Sequence, residues 1–460
     1  MPFCIPIPPL ASCYRHHDED SHMTSTRTST LSPWLALMLA SVLLRVLFGQ
    51  YLLHDHWVGD AAWYKGAADA LLREGWADPY WPPGLPHLLA GAMWLGINHA
   101  WLGMGVGLGL WVLYFWSLKS VVFLEDKDHE QGWWLKLIFA LYPAFVLQSV
   151  VPLTYLPVAI LLLMGWQWAC GAWGGSSIRD GVGLGVTLGL MVLFRGASLA
   201  LWPALLWGYA YHRERWQVIL LPLVLATLMV GAWEMRLYQQ EDRWIFVNSA
   251  NSYNLFLGNN EWTPDLRTWW LGSQDLTDHS DYDGFYETIE QVRSLPEAAQ
   301  DEAFRALAWE HIRSHPQQFM LRVASRFVTL FSFDTLASAT IYKTSPAWGI
   351  SMLALDALCY LLLIVLAWWG WGSQSWHLGE RMLWLAVVGS YSLPYLLAFS
   401  HPTYHLPVLP LLAWAAMKGG PFRRSMLMRR STLSWAVLSF FLLIQLLWIW
   451  NMSDRVPSLS

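Results

Sequence analysis

The sequence predicts an all-α polytopic membrane protein with about eleven transmembrane helices. Three observations carry that prediction. Of the 460 residues 55% are hydrophobic and only 13% charged, against roughly 25% charged in soluble domains. There are 33 tryptophans, a residue that favours the two bilayer interfaces. Long apolar stretches also recur through the chain, and in lipid a backbone satisfies its own polar groups as helix or as closed barrel. A net charge of −5 spread over this length provides no basic surface for nucleic acid.

A crossing helix takes about 20 apolar residues. The usable stretches are 32–53, 101–123, 135–150, 156–173, 181–195, 197–211, 216–234, 347–369, 382–400, 404–417 and 431–451. Residues 84–98 are apolar but short and begin beside Pro83 and Pro86. Loop Lys and Arg stay on the cytoplasmic side. The basic loops are KGGPFRRSMLMRR, with Lys418, Arg423, Arg424, Arg429 and Arg430, and YHRER, with Arg213 and Arg215. They fall on one side only if 84–98 does not cross, so that segment is read as an interfacial or re-entrant helix on the outer side. The N-terminus is then inside, while 54–100, 235–345 and 401–403 face outward. The acidic inner loop EDKDHEQG runs against this pattern, although acidic residues count little in it.

The expected organisation is a disordered cytoplasmic tail (1–30), with Met23 as an alternative start. A transmembrane module (31–234) with a first outer loop (54–100) comes next, then a long outer loop (235–345) and C-terminal transmembrane helices (346–460). The tail begins with neither a basic nor an apolar region, so it does not read as a signal peptide. Within the long loop, SLPEAAQDEAFRALAWEHIRSHP predicts a helix over about 296–314. Ser294 and Glu297 form a capping-box pattern, Pro296 lies in the first turn, and Phe304, Leu307, Ala308, His311 and Ile312 make the apolar face. Cys4, Cys13, Cys170 and Cys359 show neither zinc-site nor disulfide spacing. DHSDYDGFYETIE departs from the EF-hand pattern at His279 and in its Glu spacing, and reads as a solvated acidic loop. No metal and no cofactor are expected.

The least typical passage is GDAAWYKGAADALLREGWADPYWPPGLPHLLAG, residues 59–91, which gathers Asp60, Lys65, Asp69, Arg73, Glu74 and Asp78 beside the first apolar stretch. Residues 61–74 have helical period. Trp63, Ala67, Ala70 and Leu71 lie on one face, and Lys65, Asp69 and Arg73 form a charge ladder on another. On that reading alone Asp60 is an N-cap.

The surrounding pattern resembles the first outer loop of the C-type membrane glycosyltransferases that use polyprenyl-phosphate sugars, a group including the protein O-mannosyltransferases and the lipid A aminoarabinose transferase. In that group an Asp after the first span, a Tyr a few residues on and an aromatic-Pro-Pro-Gly-x-Pro segment recur together; here they are Asp60, Tyr64 and YWPPGLPHLLA. LYPAFVLQSVVPLTYLPVAILLL resembles the family's third and fourth spans, and GVTLGLMVLFRGASLALWPALL its glycine-rich span ending in a basic residue, with Arg195-Gly196 for the usual Arg-Pro. NSYNLFLGNN resembles a recurrent outer-loop segment. HPTYHLPVLPLLAWAA resembles the late Tyr-x-Leu-Pro motif, with Thr403 where Arg is common. The order of these motifs extends over most of the chain. Two departures stand out. Ala61 replaces a second acid, and PLTYLP places Thr154 and Tyr155 where relatives carry an acidic residue.

The resemblance implies a GT-C-like fold in a plasma (inner) membrane with its active site facing the periplasm or exterior. The implied partners are a polyprenyl-phosphate sugar donor, a lipid, glycan or protein hydroxyl acceptor, and membrane lipids. The chemistry agrees. A carboxylate takes the hydroxyl proton, and general-base assistance is typically worth about 10²–10⁴-fold. Arg compensates the departing phosphate through paired charge-assisted hydrogen bonds. Asp60 is the expected general base of an inverting single displacement, with Asp55 as the alternative base or a surface acid. Arg195 and Arg236 are candidates for the phosphate, or else groups snorkelling to lipid headgroups. Lys65 is a candidate phosphate contact or a helix-surface ion pair. Tyr64, Tyr80 and Trp81 are candidates to line the sugar pocket. His401, Tyr404 and His405 form an outer cluster that either contacts substrate or anchors the interface. Two other classes fit the composition: a flippase for a lipid-linked glycan, and a non-catalytic membrane scaffold related to the family.

Overall fold

With no water to solvate them, the backbone groups of so apolar a chain are satisfied within helices. Accordingly the computed structural model contains helices, 3₁₀ turns and no strand among the described residues. These are 33–53, 57–76, 78–121, 130–170, 177–213, 215–272, 276–373, 376–419 and 431–452; the tail 1–30, Asp55 and Arg423–Arg430 lie outside them. In order the helices are α1 (Pro33–Tyr51), α2 (Asp60–Glu74), α3 (Gly84–Trp94), α4 (His99–Val121), α5 (Glu130–Leu141), α6 (Pro143–Gln148), α7 (Tyr155–Cys170), α8 (Ser177–Phe194), α9 (Trp202–Arg213) and α10 (Leu220–Glu241). They continue as α11 (Ala250–Gly258), α12 (Asp283–Arg293), α13 (Glu297–Ser314), α14 (Pro316–Leu330), α15 (Leu336–Tyr342), α16 (Pro346–Trp371), α17 (Leu378–Leu397), α18 (Leu409–Met417) and α19 (Thr432–Met452).

Five of these segments are long and apolar enough to cross a membrane: α1, His99–Leu118 of α4, Trp216–Glu241 around α10, α16 and α19. The other apolar stretches fold as shorter, interrupted or less apolar helices. α3, at 11 residues and about 1.5 Å per residue, is far too short to span a hydrocarbon core of about 30 Å. α7 is apolar on every side and almost wholly buried, as an all-round hydrophobic helix must be. It packs against α4, α8 and α9.

The division between α5 and α6 has a chemical cause. Pro143 has no N–H, so the Phe139 carbonyl loses its partner four residues on. Arg45, fully buried in α1, takes up the orphaned groups: its guanidinium donates to the carbonyls of Ala140 (2.8 Å) and Phe139 (3.5 Å) and lies over the Trp111 ring at 3.5 Å. A second device joins α8 to α10. Gly181, Gly185 and Gly189 repeat every four residues and meet Leu221, Pro222, Leu225 and Met229 so closely that a Cβ at each would crowd them. Small residues at that spacing let two backbones approach.

A third device holds the long loop to the bundle. Arg326 of α14 donates to the carbonyls of Leu396 (3.1 Å) and Leu397 (2.9 Å) at the end of α17. It also donates to Asn259 Oδ1 (2.9 Å) and to the Gly258 carbonyl. Gly258 lies so near Ala398 that a Cβ would collide with its carbonyl. Arg322 donates to the Asn260 carbonyl (2.8 Å) and to Asp265 (3.0 Å). NSYNLFLGNN, which contains the Gly258, Asn259 and Asn260 acceptors, is therefore a clamped structural element with Asn259 and Asn260 buried.

Ion pairs align one end of the bundle. Asp180 at the start of α8 pairs with Arg213 at the end of α9, and Glu380 at the start of α17 pairs with Lys418 after α18 at 3.0 Å. The far ends of α8 and α17 therefore meet at the opposite face.

Local expectations are corrected at four places. The buried face of α2 is Ala61, Tyr64, Ala67 and Ala68, with Trp63 66% exposed; the helix is rotated because Tyr64 packs on Trp81 (4.8 Å). Gly59, at φ +57°, is the N-cap of α2, so Asp60 is its first residue. Ser294 ends α12, its hydroxyl donating to the Gln291 carbonyl (2.7 Å), and Pro296 rather than Ser294 is the N-cap of α13. The acidic run becomes helical from Ser280 onward because Phe285, Ile289 and Val292 share one buried face of α12.

Replacing Arg45 with Met strands the Phe139 and Ala140 carbonyls, at about 1–3 kcal/mol for each buried unsatisfied group. Reversible unfolding in mixed micelles should report a loss of that size; an unchanged unfolding free energy would contradict it.

Candidate active site

Four segments distant in sequence converge at the face opposite the ion-paired ends. α2 begins there with Asp60, because Gly59 accepts a backbone conformation that a side chain rarely adopts. The first amides of the helix are already used, Ala61 N–H by the Val58 carbonyl (3.3 Å) and Ala62 N–H by that of Gly59 (3.2 Å). The Asp60 carboxylate therefore makes no capping bond.

The loop after α2 is pressed onto α8, since Gly84 lies against the Phe194 ring with no room for a Cβ. Phe194 precedes Arg195, which ends α8 in extended conformation and starts the 3₁₀ turn Gly196–Leu201. Thr154 and Tyr155 stand at the start of α7, Tyr391 and Tyr395 on the last turns of α17, and Tyr404 in the 3₁₀ segment Pro402–Val408.

Arg195 is the centre of this cluster. Its Nε donates to the Tyr395 hydroxyl (2.6 Å) and its Nη1 to Thr154 Oγ1 (3.2 Å). The guanidinium carbon lies 4.6 Å from the centre of the Tyr155 ring, 4.5 Å from Tyr404 and 5.2 Å from Tyr395. Such contacts strengthen when water is removed. The cage is itself braced. Tyr391 donates to the Tyr404 carbonyl (2.7 Å), and the Tyr155 and Tyr404 rings stack at 5.9 Å. Among the described residues no carboxylate forms an ion pair with Arg195; the hydroxyls of Tyr155 and Tyr404 add hydrogen bonds to its guanidinium, and these neutral partners leave its positive charge to an anion.

Asp60 is the nearby carboxylate, within electrostatic reach of Arg195 and of Tyr64, Tyr80, Tyr155 and Tyr404. It is exposed, yet protein crowds it enough for burial to be the largest influence on its acidity. Asp60 thus reaches solvent while side chains crowd it on its protein side, and this open setting beside Arg195 forms a recess. Burial pushes its pKa above the usual carboxylate value, with Arg195 opposing. Tyr64 is buried one turn along α2, its hydroxyl beside Thr154. Its ring packs on Trp81, which meets Tyr80 edge-on at 4.9 Å.

Asp60, Tyr64, Tyr80, Trp81, Arg195 and Tyr404 are thus brought together. Other candidates are committed elsewhere. Lys65 is held by Asp69 (2.8 Å) on the surface of α2. Arg236 donates to the Gly75 carbonyl (3.0 Å), tying α10 to the end of α2. His405 is buried, stacked on Tyr360 (4.7 Å) and bonded to the Leu330 carbonyl (2.8 Å). His401 flanks the cage at 6.0 Å from Tyr404, its Nδ1 engaged with Thr403 (2.9 Å). Tyr391 and Tyr395 were not foreseen; their four-residue spacing was the available signal. Thr154 and Tyr155, noted only as replacements for an acid, prove to be contacts of Arg195. The chain matches no protein-family model, no curated protein and no solved structure.

Arg195 lowers the pKa of Asp60 while burial raises it. Removing the guanidinium by Arg195→Gln should therefore raise that pKa further. Carboxyl ¹³C titration of Asp60 checks this, and an unchanged or lowered value would contradict the coupling.

Proposed function

We propose that the protein is a membrane glycosyltransferase that moves a sugar from a polyprenyl-phosphate donor to a hydroxyl acceptor on the outer face, within a GT-C-like bundle of about eleven crossings. The observation that carries this reading is an exposed carboxylate, Asp60, with no ion pair among the described residues, within electrostatic reach of Arg195 in its cage of tyrosines. The reading also draws on the motif order of the C-type polyprenyl-phosphate glycosyltransferases, and on the loop-charge rule, which assigns the ends bearing Arg213, Arg215 and Lys418 to the cytoplasm. The membrane is then a bacterial plasma membrane and the recess opens to the periplasm or exterior.

In this mechanism Asp60 takes the acceptor hydroxyl proton as the oxygen attacks the anomeric carbon. The bond from that carbon to the phosphate oxygen breaks on the opposite side, so configuration inverts. Phosphate leaves with the electron pair, and the growing negative charge is met by the Arg195 guanidinium, whose hydrogen-bond partners are neutral hydroxyls. A preorganised donor aimed at developing charge is among the largest contributions to catalysis. Thr154 and Tyr155, standing where relatives carry an acid, solvate the guanidinium without neutralising it, which keeps its charge for the phosphate. Tyr64, Tyr80 and Trp81 offer the aromatic wall for the sugar, and the lipid tail stays in the bilayer.

Asp60→Asn should lower release of polyprenyl phosphate by about 10²–10⁴-fold while the protein remains inserted and still binds donor. In the native protein, activity should fall as pH drops through the raised pKa of Asp60, because only the carboxylate accepts a proton. Near-native turnover of the Asn variant in a detergent assay with labelled donor would contradict the assignment.

A further inference from the structure

A second cleft, of about 90 Å³, opens next to the recess. Tyr80 of the first outer loop and Tyr253 of α11 line it, with Arg243, Arg293, Gln300 and Asp301 from the long loop. Its positive side chains outweigh its negative one, and Asp301 is itself paired with Arg305 (3.6 Å). Arg293 makes no ion pair among the described residues. Gln300 donates to the carbonyls of Arg293 (3.2 Å) and Leu295 (3.0 Å), fixing the turn from α12 to α13 that presents the arginine.

The cleft is joined to the recess. The Ser249 N–H donates to the Pro79 carbonyl (2.9 Å) and the Asn248 amide to that of Tyr80 (3.1 Å), so the two loops move as one. Tyr80 lines the cleft with Arg293 and lies within electrostatic reach of Asp60 as well. Its ring leads through Trp81 to Tyr64, one helical turn from Asp60.

We infer that this cleft is an acceptor subsite, which holds the phosphate of a hydroxyl-bearing acceptor through Arg243 and Arg293 while the acceptor hydroxyl reaches Asp60. Two guanidinium groups suit an oxyanion through charge-assisted, bidentate hydrogen bonds. The inference rests on the transfer reading for its purpose but not for its test. Two sources carry this chemistry, a soluble sugar phosphate and an anionic phospholipid headgroup with free hydroxyls.

Full-length protein in phosphatidylcholine nanodiscs is titrated with glucose 6-phosphate by calorimetry, and separately reconstituted with increasing phosphatidylglycerol; glucose and pure phosphatidylcholine are the neutral counterparts. Binding of one phosphate probe, weakened at least tenfold by Arg293→Gln and by Arg243→Gln but not by Arg313→Gln, is the expected result. The probe that binds identifies the source. Arg293 is exposed, so its variant carries the test even where the Arg243 variant fails to insert. If the native protein binds neither phosphate probe, or the Arg293 variant binds as well as the native protein, the subsite is overturned. An Asp60→Asn variant with full turnover would instead remove the transfer reading and leave this binding result standing.

Discussion

A half-buried guanidinium that no carboxylate among the described residues neutralises is solvated largely by the protein around it. At Arg195 three ring faces and the neighbouring hydroxyls do this. The arrangement keeps the positive charge unspent. A direct ion pair with Asp60 would satisfy both groups and leave little pull on a phosphate and a weaker base for a hydroxyl. Their separation, held by tyrosines that cannot carry an opposing charge at neutral pH, leaves one negative and one positive group close together, which is what the proposed transfer requires.

The architecture serves that separation. Arg195 is placed by α8, whose glycine stripe seats it on α10. Tyr395 is placed by α17, whose final carbonyls are held by Arg326 and Asn259 (3.2 Å from the Asn259 amide to the Leu397 carbonyl). Buried arginines thus recur in one role, binding carbonyls that a helix end or a proline leaves unpaired. Arg45 and Arg326 are satisfied largely by backbone, Arg322 by two carbonyls together with Asp265 and His311, and Arg195 alone of the four has only side-chain partners. That contrast in solvation separates the structural arginines from the one facing the recess.

Much of the helical layout is legible in sequence because apolar length and period report it directly. Segments 101–123, 347–369 and 431–451 correspond closely to α4, α16 and α19. Local chemistry also marks the interruption at Pro143, although apolarity alone ran across it. The candidate site is legible in part. Asp60 and Tyr64 share a helix turn, but the contact of Arg195 with Tyr395 joins residues 200 apart, and no local pattern encodes such a pairing. Lys65, Arg236 and His405 show the converse case. Their charge or ring chemistry suited a substrate, yet a neighbour four residues on, a backbone carbonyl and a stacked tyrosine had already claimed them. The rotation of α2 has the same origin, since Trp63 is the larger apolar group but Tyr64 has an aromatic partner to meet.

The central claim is that Asp60 and Arg195 share one water-filled recess on the outer face. It is tested most directly by chemical accessibility at position 60. In an Asp60→Cys variant, a membrane-impermeant anionic thiosulfonate added outside intact cells should label the residue, and added polyprenyl phosphate should block the labelling by occupying the place beside Arg195. Labelling only from the cytoplasmic side, or outside labelling that polyprenyl phosphate leaves untouched, would contradict the account.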